Sequence, residues 1–255
     1  MHHEHTVLSN VDCIIPRIGS SSVDMVVSLL EHLKHLGVPS LNDAQGVVQS
    51  RDKFLSLQSL CAAGLPVPRT ALARSSERLD RAIEDVGGTP VIIKLREGTQ
   101  GVGVMKADSP DAARSTVQAL WSLRESVLVQ EFIAESGGAD IRVFIVDGKI
   151  MASMMRRSAS DDFRSNLHIG GHAQRASLTP QMRQIALDAA QHFGLTVAGV
   201  DLLVSDRGPL ITEVNPSPGL EGIESVSGLD IAKSIIRAAE RRAMAPTWDA
   251  RKSKG

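Results

Sequence analysis

The chain has 255 residues, 42% of them hydrophobic and 22% charged, a composition that excludes a disordered protein and suits one large or two modest globular domains. Its 28 Lys and Arg against 29 Asp and Glu leave a net charge of −1, so bulk charge gives no reason to expect nucleic acid, and anion binding has to be local. No run approaches the roughly 18 apolar residues of a membrane span, and the opening MHHEHTVLSN lacks the layout of a signal peptide and reads as a loose polar end. Cys13 and Cys61 are far apart and sit among apolar residues, which predicts buried free thiols and a reducing, cytoplasmic setting.

In chain order, Asp12-Cys13-Ile14-Ile15 reads as a short buried strand ending at Pro16. A helix follows with Ser21 or Ser22 as N-cap, an apolar face of Val26, Leu29, Leu30, Leu33 and Leu36, and a stop at Gly37 and Pro39. One long helix is expected from about Asp43 to Ala63, then a strand at Arg69 to Leu72. Leu79, Ala82, Ile83 and Val86 form a helical stripe ended by Gly87-Gly88. Val91 to Leu95 is a strong strand, joined by a glycine-rich loop to a second strand, Val102 to Ala107. Ser109-Pro110 opens a helix to about Leu123. Strands are expected at Val127 to Glu131, Ile141 to Val146 and Ile150 to Arg157, the last two joined by a tight Asp147-Gly148 turn. A long polar loop, Ser158 to Gly171, precedes a helix opened by Thr179-Pro180 and closed by Gly194, and the last helix uses Ala232, Ile235, Ile236 and Ala239. Hairpins interspersed with helices predict α+β lobes with mixed or antiparallel sheets.

The most informative stretch is Gly199 to Glu224, GVDLLVSDRGPLITEVNPSPGLEGIE. Two apolar arms, each with an acid, fold back about a midpoint near Arg207. In an antiparallel hairpin that symmetry sets Asp201 opposite Glu213, about 4.5–5.5 Å apart at Cβ. Asn215 shares the face of Glu213. Three oxygen donors on one patch suit a hard cation such as magnesium, which takes one or two carboxylates plus substrate phosphates. The alternative is a solvated hairpin with acids on its wet face, against which stands the stiff run Pro216-Ser217-Pro218-Gly219 that follows at once.

Lys94 interrupts an apolar strand, so it lies on an exposed face or meets an anion. Beside it, Gly98, Gly101 and Gly103 allow a backbone phosphate cradle, although a glycine-rich hairpin turn reads the same way and the P-loop pattern is absent. Glu131, at a strand end, suits a ribose hydroxyl or adenine amino group as well as it suits an exposed strand end. Asp140 and Arg142 flank Ile141 and share a face, a spacing that allows them to pair with each other. Arg156, Arg157, Arg164, Asn166 and His168 surround the long loop, and concentrated arginines fit recognition of carboxylates and phosphates.

Lys94, the glycine loop, QEF at 130–132, the Arg164-Ser165-Asn166 run and the Asp201, Glu213, Asn215 set occur in the order of the ATP-grasp superfamily. The segments KLREGTQGVGV, DIRVFIV, DFRSNLHIGG and NPSPGLEGIE resemble the RimK family within it, over about Asp12 to Arg241. The resemblance implies an ATP-grasp fold of two α+β lobes sandwiching ATP, preceded by an α/β domain. By it, Lys53, Lys94, Gly98, Gly101 and Gly103 contact ATP phosphates, and Glu131, Phe132 and Asp140 line the adenine and ribose pocket. Arg164, Ser165 and Asn166 lie near the γ-phosphate, and Asp201, Glu213 and Asn215 hold two magnesium (or manganese) ions. The implied activity is ligation of L-glutamate to the C-terminus of the sixth small-subunit ribosomal protein, by an enzyme expected to be a homotetramer without membrane or direct nucleic-acid contact.

The corresponding division is 1–46 for the N-terminal domain, 47–133 for lobe A, 134–241 for lobe B and 242–255 for a flexible basic tail. The family begins with a further strand-and-helix unit before CIIPRIG, so the N-terminal domain is expected to be shortened by roughly 30 residues. The expected reaction is ATP-dependent formation of an acylphosphate, with Lys94 neutralising phosphate charge and Arg156 and Arg164 holding the acceptor, then attack by the amino group of glutamate. Two rivals remain at this stage: a ligase of the same chemistry acting on a small molecule or carrier, and a nucleotide-binding regulator without turnover.

Overall fold

The computed structural model describes residues 10–19, 23–73, 75–96, 103–122, 126–158 and 172–245. Gly98, Gly101, Arg164, Ser165 and Asn166, five of the expected site residues, lie outside them, as do Ser21, Ser22 and the expected tail from residue 246 on.

The N-terminal part contains helix α1, Val23–His35, and the expected strand at residues 12–15 is reduced to a single parallel bridge between Ile14 and Ser40. Ile15 is exposed and Cys13 half-buried, because one bridge gives this segment no sheet to lie in. The single helix expected over 43–63 is two helices, α2 (Ala44–Arg51) and α3 (Lys53–Ala62). Asp52 breaks them apart: its backbone is extended, and its side chain accepts the N–H groups of Phe54 and Leu55 as the N-cap of α3. Cys61, on the far turn of α3, is exposed, not buried as its neighbours suggested.

Strands β1 (Thr70–Ala73), β2 (Val91–Leu95), β3 (Val104–Ala107) and β4 (Val127–Glu131) form an antiparallel sheet in the order β1-β4-β2-β3. Helices α4 (Ser76–Asp85) and α5 (Pro110–Ser122) cover one face with Leu79, Ala82, Ile83, Ala113 and Val117 against Val91, Ile93, Val127 and Val129. This is lobe A. Gly103 closes the β2–β3 turn: it has φ +75°, its carbonyl accepts the Leu95 N–H, and a Cβ there would lie 2.5 Å from the Leu95 side chain.

A second antiparallel sheet has the order β7-β6-β5-β8-β9, from β5 (Ala139–Val146), β6 (Lys149–Arg157), β7 (His172–Arg175), β8 (Val197–Ser205) and β9 (Gly208–Asn215). Both faces are covered, which is why these strands read as near-continuous apolar runs. Ile141, Val143 and Ile145 of β5, with Ala198, Val200 and Leu202 of β8, face helix α6 (Pro180–His192). Phe144, Val146 and Val197, of opposite parity, pack on α7 (Glu221–Ser227) and α8 (Ile231–Met244). Strand β7 and helix α7 have no counterpart in the sequence reading, and α8 continues through Met244, beyond the start of the expected tail. Both sheets are antiparallel, the α+β architecture expected. Among the described residues no helix is long and apolar enough to cross a membrane.

Leu60 of α3 sits in the core of the second sheet, so α3, which the expected division places in lobe A, packs with the second sheet. Asn42, buried, makes this docking specific. Its Nδ2 donates to the carbonyls of Val197 and Pro216 at 2.7 Å each, and its Oδ1 accepts the Val197 N–H at 3.0 Å. Replacement Asn42→Ala should therefore destabilise the protein by about 3 kcal/mol, since it leaves several buried polar groups unpaired; urea unfolding measures it, and Asn42→Asp should not restore the loss.

Candidate active site

The site occupies the face of the second sheet that carries Asp140, Arg142, Asp201, Glu213 and Asn215. The strand register sets its rows: Asp140 lies opposite Arg156, Arg142 opposite Asp201, and Asp201 opposite Glu213. The last pair is the one hairpin symmetry predicts, but it arises differently. The turn has two residues, Asp206-Arg207, and alone would set Asp201 against Thr212. A β-bulge between Asp201 and Leu202 absorbs Thr212 and moves the pairing to Glu213.

Asp201 is buried and fully hydrogen-bonded. Oδ1 accepts from Arg142 Nε at 2.7 Å, and Oδ2 accepts from Arg142 Nη2 at 2.6 Å and Arg156 Nη2 at 2.8 Å. Arg156 in turn forms a two-pronged pair with Asp140, with Nε donating to Oδ1 at 2.7 Å and Nη2 to Oδ2. Asp140 and Arg142 therefore do not pair with each other, as their spacing allowed. Each has a cross-strand partner directly opposite, nearer than a residue two along its own strand.

Burial alone would raise the Asp201 carboxyl, but the Arg142 and Arg156 guanidiniums offset it and hold it at about 2. For Asp140, burial, aided by the Asp201 charge, outweighs the pull of Arg156 and Arg142, and its carboxyl is pushed up. The Arg156 guanidinium is held charged by both acids despite its burial. That leaves it committed to Asp140 and Asp201, where the sequence reading expected it at the acceptor.

Across from this row stands Lys94 of β2. Burial, together with the positive charge of Lys53, lowers its ammonium to about 8, against the pull of Glu213, Asp201 and Asp140. Lys94, Lys53, Asp140, Asp201 and Glu213 thus share one electrostatic neighbourhood between lobe A and lobe B. Asn215 turns its Oδ1 to the Ser217 N–H at 2.8 Å and starts the Pro216–Gly219 loop. The N-terminal segment clasps that loop: Arg17 donates to the Pro218 carbonyl and the Ile18 N–H to Ser217 Oγ. Gly199, opposite Asn215, admits Pro218 closely, since a Cβ there would lie 2.8 Å from that of Pro218. Two acids and an amide are hard oxygen donors of the kind a magnesium-type cation takes, while in this structure the Asp201 oxygens face Arg142 and Arg156 and the Asn215 Oδ1 faces the Ser217 N–H.

At the other end of the site, Glu131 is buried with both oxygens engaged. Oε1 accepts from the Arg69 N–H at 2.7 Å and Arg207 Nη2 at 2.6 Å, and Oε2 from Arg69 Nε at 3.0 Å. Burial opposes its ionisation, and Arg207 and Arg69 overcome that and hold the carboxyl below the usual range. Phe132 lies beside it with Lys106 Nζ 4.7 Å from the ring centre. Sequence reasoning missed Arg69, Arg207, Arg17 and Asn42. Arg207 was visible only as a turn residue, Arg17 only as part of CIIPRIG, and Arg69 and Asn42 lie outside the motifs quoted. Arg142 carried a signal, its parity with Asp140, that pointed to the right face and the wrong partner.

This architecture is the ATP-grasp fold. The structure of the ATP-grasp ligase PsnB complexed with a phosphomimetic variant of its minimal precursor, Mg and ADP is similar with a TM-score of 0.68 at 19% identity, over 91% of this chain and 78% of that one. The crystal structure of the RimK domain protein ATP-grasp from Sphaerobacter thermophilus gives 0.72 at 22% identity, over 91% and 82%. Residues 50–239 match the RimK-like ATP-grasp domain and residues 1–47 the RimK PreATP-grasp domain. A relative from Pseudoalteromonas atlantica, named probable alpha-L-glutamate ligase 2, is 49% identical over 225 residues, 88% of this chain and 75% of its own length. The chain belongs to the RimK family and is an ATP-grasp ligase.

Removal of one partner from the buried charge row tests it. Arg142→Met should destabilise the protein by about 3 kcal/mol at neutral pH. The Asp201 carboxyl sits at about 2 against an ordinary 3.8, so its stabilising contribution is complete above about pH 4 and is lost as pH falls through about 2. With one guanidinium gone, that loss should begin at a higher pH, visible as an earlier acid-unfolding limb by circular dichroism.

Proposed function

We propose that this chain uses ATP and two magnesium (or manganese) ions to join L-glutamate through an amide bond to the C-terminus of the sixth small-subunit ribosomal protein. The observation that carries the chemistry is that Lys94 of lobe A lies within electrostatic reach of Asp140, Asp201 and Glu213 of lobe B. An ammonium on one wall and hard oxygen donors on the other suit a polyphosphate with its cation between them. The protein substrate rests on the resemblance of KLREGTQGVGV, DFRSNLHIGG and NPSPGLEGIE to the family and on relatives named alpha-L-glutamate ligases.

In this reading Asp201, Glu213 and Asn215 hold the cation, which supplies charge neutralisation for phosphoryl transfer. Arg142 and Arg156 keep Asp201 ionised and fix its direction. Lys94 and Lys53 take the phosphates, with the glycine loop from Gly98 to Gly103. The carboxylate of Glu131 is tied to Arg69 and Arg207 and acts by holding the strand end, so that Phe132 and the backbone beside it meet the base. Asp140 stands at the ribose side. Arg164, with Ser165 and Asn166, receives the γ-phosphate and the acceptor carboxylate. That carboxylate attacks the γ-phosphorus, breaking its bond to the β,γ-bridging oxygen and expelling ADP, to give an acylphosphate; the amino nitrogen of glutamate then attacks the acyl carbon, loses a proton and expels inorganic phosphate. The acceptor would place the reaction in the cytoplasm, and a tetramer is the assembly the resemblance favours.

Mass spectrometry of the ribosomal protein after incubation with enzyme, ATP, magnesium and glutamate should show additions in steps of one glutamate residue. ADP release with a small acid or amine in place of the protein, and no mass change, would instead establish a small-molecule ligase. Glu213→Gln should abolish turnover with an unchanged circular dichroism spectrum. Lys94 gives a second prediction. Its ammonium titrates at about 8 in the free protein, and phosphate favours the charged form. Nucleotide affinity should therefore fall by up to roughly tenfold per pH unit above pH 8. Calorimetry in two buffers should detect proton uptake on binding there, and Lys94→Met should remove it.

A further inference from the structure

The Asp52 carboxylate does two things at once. Oδ1 caps α3 by accepting the N–H groups of Phe54 and Leu55 at 3.0 and 3.1 Å. Oδ2 faces away from the helix and accepts Arg96 Nε at 2.8 Å and Nη2 at 2.6 Å. Arg96 follows β2 directly and is anchored in lobe A, where its N–H donates to the Ser126 carbonyl and its neighbour Leu95 is bonded to Gly103. Asp52 belongs to α3, which is docked on lobe B through Leu60. The ion pair therefore crosses from one lobe to the other at the stem of the glycine loop. Its two residues bracket the candidate phosphate contacts: Lys53 is next to Asp52, and Lys94 lies two residues before Arg96 on the same strand face.

Lys53 and Lys94 repel one another. A bidentate guanidinium–carboxylate pair supplies direction as well as attraction, and the Asp52 carboxyl is held below its ordinary range chiefly by Arg96, against its burial. We propose that Arg96 and Asp52 are positioning residues for the polyphosphate of a nucleoside triphosphate. Their pairing holds the Lys94 strand and the Lys53 turn in fixed relation across the cleft. Neither side chain touches the nucleotide in this account. The inference rests on the nucleotide reading above and goes beyond it.

The test measures dissociation constants for ADP, a non-hydrolysable ATP analogue, inorganic triphosphate and adenosine, with magnesium, in the wild type, Arg96→Met, Asp52→Asn and the double variant. Asp52→Asn retains an oxygen to cap α3 and loses only the charge. Each single change should weaken the phosphate-bearing ligands roughly 5- to 30-fold, and the double change no more than the weaker single one. Adenosine binding should be unchanged. The KM for ATP should rise by the same factor with kcat altered less than twofold, and Arg96→Lys should recover part of the loss. Unchanged affinities with a lowered melting temperature would reduce the pair to a structural brace and overturn the proposal. Tighter binding in the single variants would overturn it too, by making the pair a latch on a closed cleft. Additive losses in the double variant would show that the two residues act separately. A wild type that binds none of the phosphate ligands would sink the nucleotide reading itself, and the proposal with it.

Discussion

The ion row Arg142–Asp201–Arg156–Asp140 is the constraint on which the rest of this site depends. A carboxylate as buried as Asp201 is stable only with its oxygens fully bonded, and two guanidiniums meet that need. The guanidiniums come from β5 and β6 and the carboxylate from β8, so the row is possible only if three strands hold one register. That register is in turn set by the apolar residues of opposite parity, Ile141, Val143, Val200 and Leu202, which have to meet α6. Core packing thereby determines charge placement. A one-residue slip anywhere in this sheet would bury the arginines in the α6 core and expose its valines.

Much of this was legible because period-two and period-3.6 patterns report burial directly. The strands of both sheets other than β7, and helices α4, α5, α6 and α8, follow from their apolar spacing, and the pairing of Asp201 with Glu213 was expected from the hairpin although a bulge at Thr212 produces it. What was not legible shares a physical origin. Asp52 sits within a helical pattern, and only its competition for backbone N–H groups breaks the helix there. Arg142 has two acids within reach, and cross-strand geometry, invisible without the register, chooses between them. The Glu131 carboxylate looked available to a ligand because its partners, Arg69 and Arg207, are 62 and 76 residues away in sequence. Strand β7 is short and exposed on its outer side, so it carries no apolar periodicity to read.

Two ion pairs join the lobes. Arg207, at the tip of the β8–β9 hairpin, reaches Glu131 of lobe A, and Asp52 reaches Arg96. The N-terminal segment attaches to the same hairpin at its other end, through Asn42, Arg17 and Ile18 on the Pro216–Gly219 loop. The hairpin with the acid pair is thus held at its tip and its base. Lys94 is the opposite case, a cation set into lobe A with its counter-charges on lobe B. Charge of both signs is thus brought together where the two lobes meet.

The bulge at Thr212 divides the β8–β9 hairpin into two stretches with separate frames. Below it, residues 199–201 pair with 213–215; above it, 202–205 pair with 208–211. The lower frame is secured by Val200 and Val214 in the core, not by counting back from the turn. For an evolving sequence this is a slip joint. The tip can change its turn type or its length and the acids and amide below stay in place, at the expense of the tip's own contacts, Arg207 with Glu131 and the Asp206 N–H with Glu135. The acid-bearing end of the hairpin is in this way insulated from the part of it most exposed to insertion and deletion.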